Sequence, residues 1–532
     1  MISTHDLVVV GAGFAGLYTT VHARRRGLDV IGLEAADDVG GTWFWNRYPG
    51  ARCDVESIDY SYSFDDDLQR DWRWSERYAT QPEILRYLNH VADRFDIRRH
   101  YRFGERVIEA VWDDPDQRWT LRTGSGLEVR ARWVVMASGC LSQPLLPDIP
   151  GRDAFAGRVL QTSSWPTEPV DLRGLRVGVI GTGSSGIQAV PIIAEQAAEL
   201  VVYQRTANYS VPAFNRPIDD DEWARQQEGL AHRRAVSWRS PAGSPWSSHP
   251  VPFADASEDE REQVFEESWT RGGVLFAKAF AGVTTDTVVN DAARDFFERK
   301  LAATVSDPDV LADLTPTGHP LGTKRICTDS GYYETFALPH VDLVNLRRDP
   351  ITGIEPSGIR TASGLRELDV IVFATGFDAM TGALTAIDIR GREGRVLREE
   401  WTRFPVTHLG IGLPGYPNLF PLNGPGTPSV LANMALTSEQ QGEYALRLID
   451  HCLAHGYTSA EAREDAAQAW TEETARVAAG TLFAGADSWY TGANIEGKAR
   501  GFLPYIGGFR RYIEHAEEVA AEGYRGFVLS RR

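Results

Sequence analysis

Two short glycine runs carry the first chemistry legible in this chain. Gly11-Ala12-Gly13-Phe14-Ala15-Gly16 follows the apolar residues 7–10 and precedes a helical stretch over 17–26. Gly181-Thr182-Gly183-Ser184-Ser185-Gly186 follows Arg176–Ile180 and precedes a second helix that includes Gln188. Glycines at this spacing let backbone approach a pyrophosphate at a helix N-terminus. The strand after the first run closes on Glu34, an acceptor for ribose hydroxyls. The strand after the second closes on Gln204, followed by Arg205 and Thr206. A carboxylate there would repel a 2′-phosphate, whereas a guanidinium and a hydroxyl can bind one. The first turn therefore reads as a site for an unphosphorylated ADP-ribose and the second as a site for NADP. Two dinucleotides in one chain point to FAD working with NADPH.

The elements that must position these turns are β-turn-α-β units, which place the chain in the α/β class. We expect two Rossmann-like dinucleotide-binding domains, with a helical insertion in the NADP domain. The boundaries read as 1–143 for the first part of the FAD domain and 144–211 for the first part of the NADP domain. The insertion covers 212–320, the NADP domain resumes over 321–377, and the FAD domain resumes over 378–532. A buried strand over 368–373, ending in the glycine turn Ala374-Thr375-Gly376, marks the return. Within the insertion, a loop rich in Ser and Pro precedes amphipathic stretches at 258–269 and 290–304. The acidic runs 65–67 and 219–222 read as turn and helix-start charges.

Composition removes several alternatives. The chain has 532 residues, with 55 Lys+Arg against 73 Asp+Glu and a formal charge of −18. That balance argues against a nucleic-acid partner and suits a cytoplasmic protein. No run of apolar residues is long enough to span a membrane, and the start lacks the pattern of a secretory signal. The 4 cysteines form no CxxC pair, and neither an HxxxH nor an HExxH metal-binding spacing is expected among the 12 histidines. Neither a dithiol redox centre nor a metal site is expected. No obligate protein partner is evident.

At this point the sequence resembles a known family, the type I Baeyer–Villiger monooxygenases, and in particular the cyclohexanone, phenylacetone and steroid monooxygenase group. The segment from Gly40-Gly41-Thr42-Trp43 through Tyr48-Pro49-Gly50 to Asp54 matches the signature (A/G)GxWxxxx(F/Y)P(G/M)xxxD at each defined position. Phe155, Gly157, Trp165 and Pro166 match FxGxxxHxxxWP, but Gln161 stands where that pattern has histidine. Two further matches surround Lys324-Arg325 and Ser488-Trp489.

The resemblance implies oxygenation of a ketone to an ester or lactone, using NADPH and O₂ through a flavin C4a-peroxide. It assigns Arg325 to the stabilisation of anionic oxygen and Asp54 to holding that arginine. Lys324 would contact the NADP 2′-phosphate, and Trp489 would pack on NADP. Phe14, Thr42, Trp43, Trp45, Tyr60, Val107 and Met434 would line FAD. Arg52, Ser184, Ser185 and Gln188 would join Arg205 and Thr206 around NADP. Ser429 and Val430 are the candidates for the substrate pocket.

The chemistry itself asks for the same groups. A reaction that builds negative charge on oxygen needs a fixed cation where water is scarce, and an arginine stays charged in any such pocket. Two other readings stand beside ketone oxygenation. One is heteroatom (S or N) oxygenation, which shares both glycine turns. The other is a catalytically silent dinucleotide-binding protein, to which Gln161 lends support.

Overall fold

The computed structural model describes residues 2–531. Its larger sheet has eight strands. Seven run in the order Asp388–Arg390, Val107–Asp113, Arg118–Thr123, Glu128–Met136, Ser3–Val10, Val30–Leu33 and Tyr101–Arg102, and Leu419–Pro421 also pairs with Glu128–Met136. Ser3–Val10 is parallel to both neighbours, with Leu7 opposite Val30 on one side and Trp133 on the other. Its first four residues are more exposed and its last four are buried, so the apolar run begins where the strand enters the core.

The second sheet is parallel throughout, in the order Val341–Asn345, Glu199–Gln204, Arg176–Ile180, Val370–Phe373, Arg158–Gln161. Parallel strands covered on both faces read as unbroken apolar runs, and every residue of Val370–Phe373 is buried. Strands of the larger sheet come from residues before 137 and after 387, and those of the second sheet lie between. The late helix Met434–His455 packs tightly along Phe14–Arg25. A Cβ at Gly442 would stand 2.9 Å from the Tyr18 ring, so only glycine fits there without displacement.

Between two strands of the second sheet, Glu199–Gln204 and Val341–Asn345, the chain forms the helices Asp220–Trp238, Glu258–Arg271, Thr287–Thr304 and Pro308–Leu314. Both acidic runs sit at helix starts. Asp65 accepts from the Leu68 N–H, and Asp219 accepts from the Glu222 N–H, each supplying an N-cap. The helix Asp220–Trp238 is pinned to the segment that follows Asp54. Arg234 donates to Ser61 Oγ at 2.7 Å and to Gln69 Oε1 at 2.9 Å, and Arg233 donates to both carboxylate oxygens of Asp59. No described helix is long and apolar enough to cross a membrane.

Candidate active site

Both glycine turns are built alike. Gly11 has φ +105° and Gly181 has φ +111°, in the region that disfavours side chains. A Cβ at Gly16 would lie 1.9 Å from Gly11 O, and one at Gly186 would lie 2.2 Å from Gly181 O. The helices that follow, Phe14–Arg25 and Ser184–Ala194, are capped by Gly13 and Gly183 with no side-chain hydrogen bond. Their first N–H groups lack a side-chain acceptor, and an anion can take that place. The cradles therefore fit two dinucleotide pyrophosphates.

Glu34 ends its strand buried. It accepts from Ala12 N at 2.6 Å and Ala36 N at 2.7 Å. Burial raises its pKa against the opposing pull of those backbone N–H groups. Beyond the turn, Phe14 and Tyr60 meet edge to face at 5.0 Å, and the Trp43 indole donates to Tyr60 Oη at 3.3 Å. Gln81 fixes Trp43 from behind through its carbonyl. Val107 is buried in its strand, Thr42 begins a four-residue helix ending at Trp45, and Met434 begins the long helix capped by Asn433.

The signature segment docks on the second turn's helix. Tyr48 donates to Gln188 Oε1 at 2.8 Å, Gln188 donates back to Arg52 O at 3.2 Å, and a Cβ at Gly50 would meet Gln188 O at 2.2 Å. The Arg52 guanidinium itself is committed to Glu76 and the Tyr78 carbonyl. Its place beside the second unit comes from its backbone, a division that sequence reasoning did not foresee.

Two residues past Arg52, Asp54 meets Arg325 across 271 positions of sequence. Arg325 Nη2 donates to Asp54 Oδ1 at 2.8 Å, Nε donates to Oδ2, and Nη1 donates to the Val430 carbonyl at 2.8 Å. Burial alone would oppose the arginine's charge, but the paired carboxylate more than offsets this and raises its pKa. Asp54 and the Val430 carbonyl take three of its five N–H groups, and the Tyr490 hydroxyl is within hydrogen-bond reach of the same guanidinium.

Tyr490, 2% exposed, lies against the same guanidinium, and burial pushes its phenol up to about 12. It was not among the expected residues. Its neighbour Trp489, which was, packs on it with ring centroids 4.1 Å apart.

Lys324 serves a different place from Arg325. Its pKa is lowered by burial and by the cations Arg205 and Arg347, with Asp487 opposing. Thr206 accepts from Arg347 Nη2 at 3.5 Å. Ser184 stands 3.4 Å from Cys327 Sγ, and Ser185 faces Tyr48.

Ser429 is fully buried with φ +42°, and its hydroxyl donates to Asn423 O at 2.9 Å. What it offers the site is the turn that aims the Val430 carbonyl at Arg325. Gln161 pairs with Phe373 in the second sheet, and its Nε2 is buried with no hydrogen-bond partner. The sequence does hold one HxxxH spacing, His451 and His455, whose rings lie 4.2 Å apart on one helix. No group of three metal ligands exists among the described residues, and all four cysteines are buried and free.

Residues 8–233 match the family model described as "pyridine nucleotide-disulphide oxidoreductase". The chain is 41% identical over 531 residues to a Baeyer–Villiger monooxygenase of Pseudooceanicola batsensis, covering 99% of this chain and 96% of the other. It is 52% identical to an oxidized steroid monooxygenase bound to NADP, with TM-score 0.95 and all of both chains covered. The OTEMO structure in complex with FAD and NADP is 38% identical, with TM-score 0.96 over the whole of both chains.

Proposed function

The chain belongs to the Baeyer–Villiger monooxygenase family, and we propose that Arg325, held by Asp54, is the residue on which its oxygenation depends. It is an FAD- and NADPH-dependent oxidoreductase that uses O₂ to convert a ketone to an ester or lactone. When bound, FAD reduced by NADPH would activate O₂, one atom of which goes to the ketone and the other to water.

The protein's own part is binding, orientation and charge. Gly11, Gly13 and Gly16 would seat the FAD pyrophosphate and Glu34 its ribose. Phe14, Thr42, Trp43, Trp45, Tyr60, Val107 and Met434 would flank the rest. Gly181, Gly183 and Gly186 would seat NADP, with Arg205, Thr206 and Lys324 at its 2′-phosphate and Trp489 packed over it. The division at 143, 211, 320 and 377 is our domain reading, supported by the two sets of strands.

The observation that carries the role of Arg325 is its locked geometry. Asp54 and the Val430 carbonyl fix its plane, so no reorganisation is needed when negative charge builds on oxygen. The apolar cluster of Cys140, Met380, Val430, Phe502 and Leu503 adjoins that guanidinium through Val430 and supports an apolar ketone as substrate. We place the protein in the cytoplasm on its acidic balance. Recovery of the activity from a secreted or periplasmic fraction would count against that.

The test is aerobic turnover with NADPH and a panel of ketones, sulfides and amines, with products identified by mass. Wild type should give esters or lactones. Arg325→Gln should lower coupled product by roughly 100- to 1,000-fold, the effect of removing one such donor. Ketone oxygenation by that variant at the wild-type rate would remove Arg325 from its role. Turnover of sulfides or amines alone would favour heteroatom oxygenation.

A further inference from the structure

Three residues other than glycine, all with left-handed backbone, meet around a single hydroxyl. Asn423, Ser429 and Met380 have φ +59°, +42° and +68°. Such conformations are costly and persist where the surrounding structure over-determines them, notably at active sites and switches. The common point is Ser429 Oγ, which lies 2.9 Å from Asn423 O and 3.7 Å from Met380 Sδ. A serine hydroxyl has one proton to donate. The carbonyl is the nearer and stronger acceptor, so the proton is spent there and the sulfur lone pairs stay free.

Met380 is 2% exposed and packs with Cys140, Val430, Tyr490 and Phe502, in the cluster that adjoins Arg325. Its N–H donates to Cys140 O at 2.8 Å, which holds the thioether close to that thiol. Two sulfurs thus stand beside the guanidinium, and they differ in reactivity. A thiol is oxidised through its thiolate, and burial raises the Cys140 pKa and keeps it protonated. A thioether needs no deprotonation before it takes up oxygen.

We infer that Met380 is an internal peroxide target, at which turnover without ketone forms a sulfoxide that loosens the clamp on Arg325. This rests on the oxygenase reading above. Without ketone, NADPH, a proton and O₂ give NADP⁺ and hydrogen peroxide. One peroxide oxygen then bonds to the Met380 sulfur as the O–O bond breaks. The other leaves as water, and the sulfur is oxidised by two electrons. The sulfoxide oxygen is a far stronger acceptor than a thioether, so it competes with Asn423 O for the Ser429 proton. Ser429 holds the turn that aims the Val430 carbonyl at Arg325, so the guanidinium loses a fixed partner.

The test is aerobic incubation of the FAD-loaded protein with NADPH and no ketone, followed by peptide mass mapping and assay of coupled product. The peptide carrying Met380 should gain about 16 Da, one oxygen, in step with the loss of product. The ketone of the panel that is turned over fastest should protect it, and exclusion of O₂ should prevent the gain. When wild type has lost roughly nine-tenths of its product, Met380→Leu should keep most of its own starting rate. Activity lost with Met380 unmodified, oxygen gained only at Met434 or Cys140, or equal oxidation with and without ketone overturns the proposal. If no peroxide forms without ketone while ketone is still oxygenated, the proposal falls and the oxygenase reading stands. If no ketone is oxygenated at all, the reading falls and the proposal with it.

Discussion

The two glycine turns are near copies in backbone, yet their surroundings differ. The first is roofed by the signature segment: a Cβ at Gly41 would lie 2.8 Å from Gly13 Cα. The second is open, with nothing within 4 Å of a Cβ placed at Gly183. An enclosed turn suits a cofactor that stays, and an open one suits a coenzyme that exchanges in each cycle. The strand ends differ as well. Glu34 turns a buried carboxylate onto backbone N–H groups, whereas Gln204 donates to Asp313 O at 2.7 Å and leaves the exposed Arg205 as the next charge. One backbone device thus serves two dinucleotides, and the side chains around it decide which.

The sharpest way to break this comparison is to damage each turn equally. Gly16→Ala and Gly186→Ala both place a methyl far inside contact distance of a carbonyl oxygen. Overpacking of this kind costs about 1–3 kcal/mol. Gly16→Ala should yield protein without flavin. Gly186→Ala should remain yellow but be reduced by NADPH at least tenfold more slowly, roughly a 1.4 kcal/mol effect. Flavin absorbance and anaerobic reduction rates distinguish the two, and equal flavin loss in both would deny the difference in roles.

A milder pair probes the strand ends. Glu34→Gln turns one acceptor into a donor against the N–H groups of Ala12 and Ala36, which should cost about 1–3 kcal/mol. It should shed FAD on dilution while leaving the preference for NADPH intact. Gln204→Leu gives up a single hydrogen bond to Asp313 O, worth about 0.5–1.5 kcal/mol. It should retain FAD fully. Flavin release followed by fluorescence checks both expectations.

The smallest expected effect concerns pH. His22, on the helix of the first turn, is held neutral by burial and by Arg25 and Arg26, with its pKa lowered from 6.5 to about 4. His319, beside the second, is lowered to about 3. The unfolded chain takes up these protons near 6.5 and the folded chain does not, so stability present above 6.5 is lost progressively as pH falls. His22→Asn and His319→Asn should each narrow the fall in melting temperature between about pH 7.5 and pH 5. A fall as large as in wild type would show that other groups govern acid sensitivity.

Much of the fold was legible because its signals are local. Glycine spacing, apolar runs and a strand-end acid lie within a few dozen residues of one another, and helix starts were marked by Asp65 and Asp219. The site was only partly legible. Asp54, Arg325 and Lys324 came from the family resemblance and not from spacing. Tyr490 could have been suspected from its place beside Trp489. Nothing local distinguishes Arg347 from Arg348, which pairs with Asp313, because which of two adjacent arginines finds a carboxylate depends on where the helix Pro308–Leu314 delivers it.

By itself, then, the sequence determined two dinucleotide-binding units on an α/β frame, because short-range patterning sets secondary structure and backbone conformation. Tertiary structure decided what those units share. It brought Asp54 onto Arg325 across 271 residues, turned Ser429 so that the Val430 carbonyl completes the clamp, and spent the Arg52 charge on Glu76. The field at a site is a sum over distances in space, and distance along the chain does not enter it.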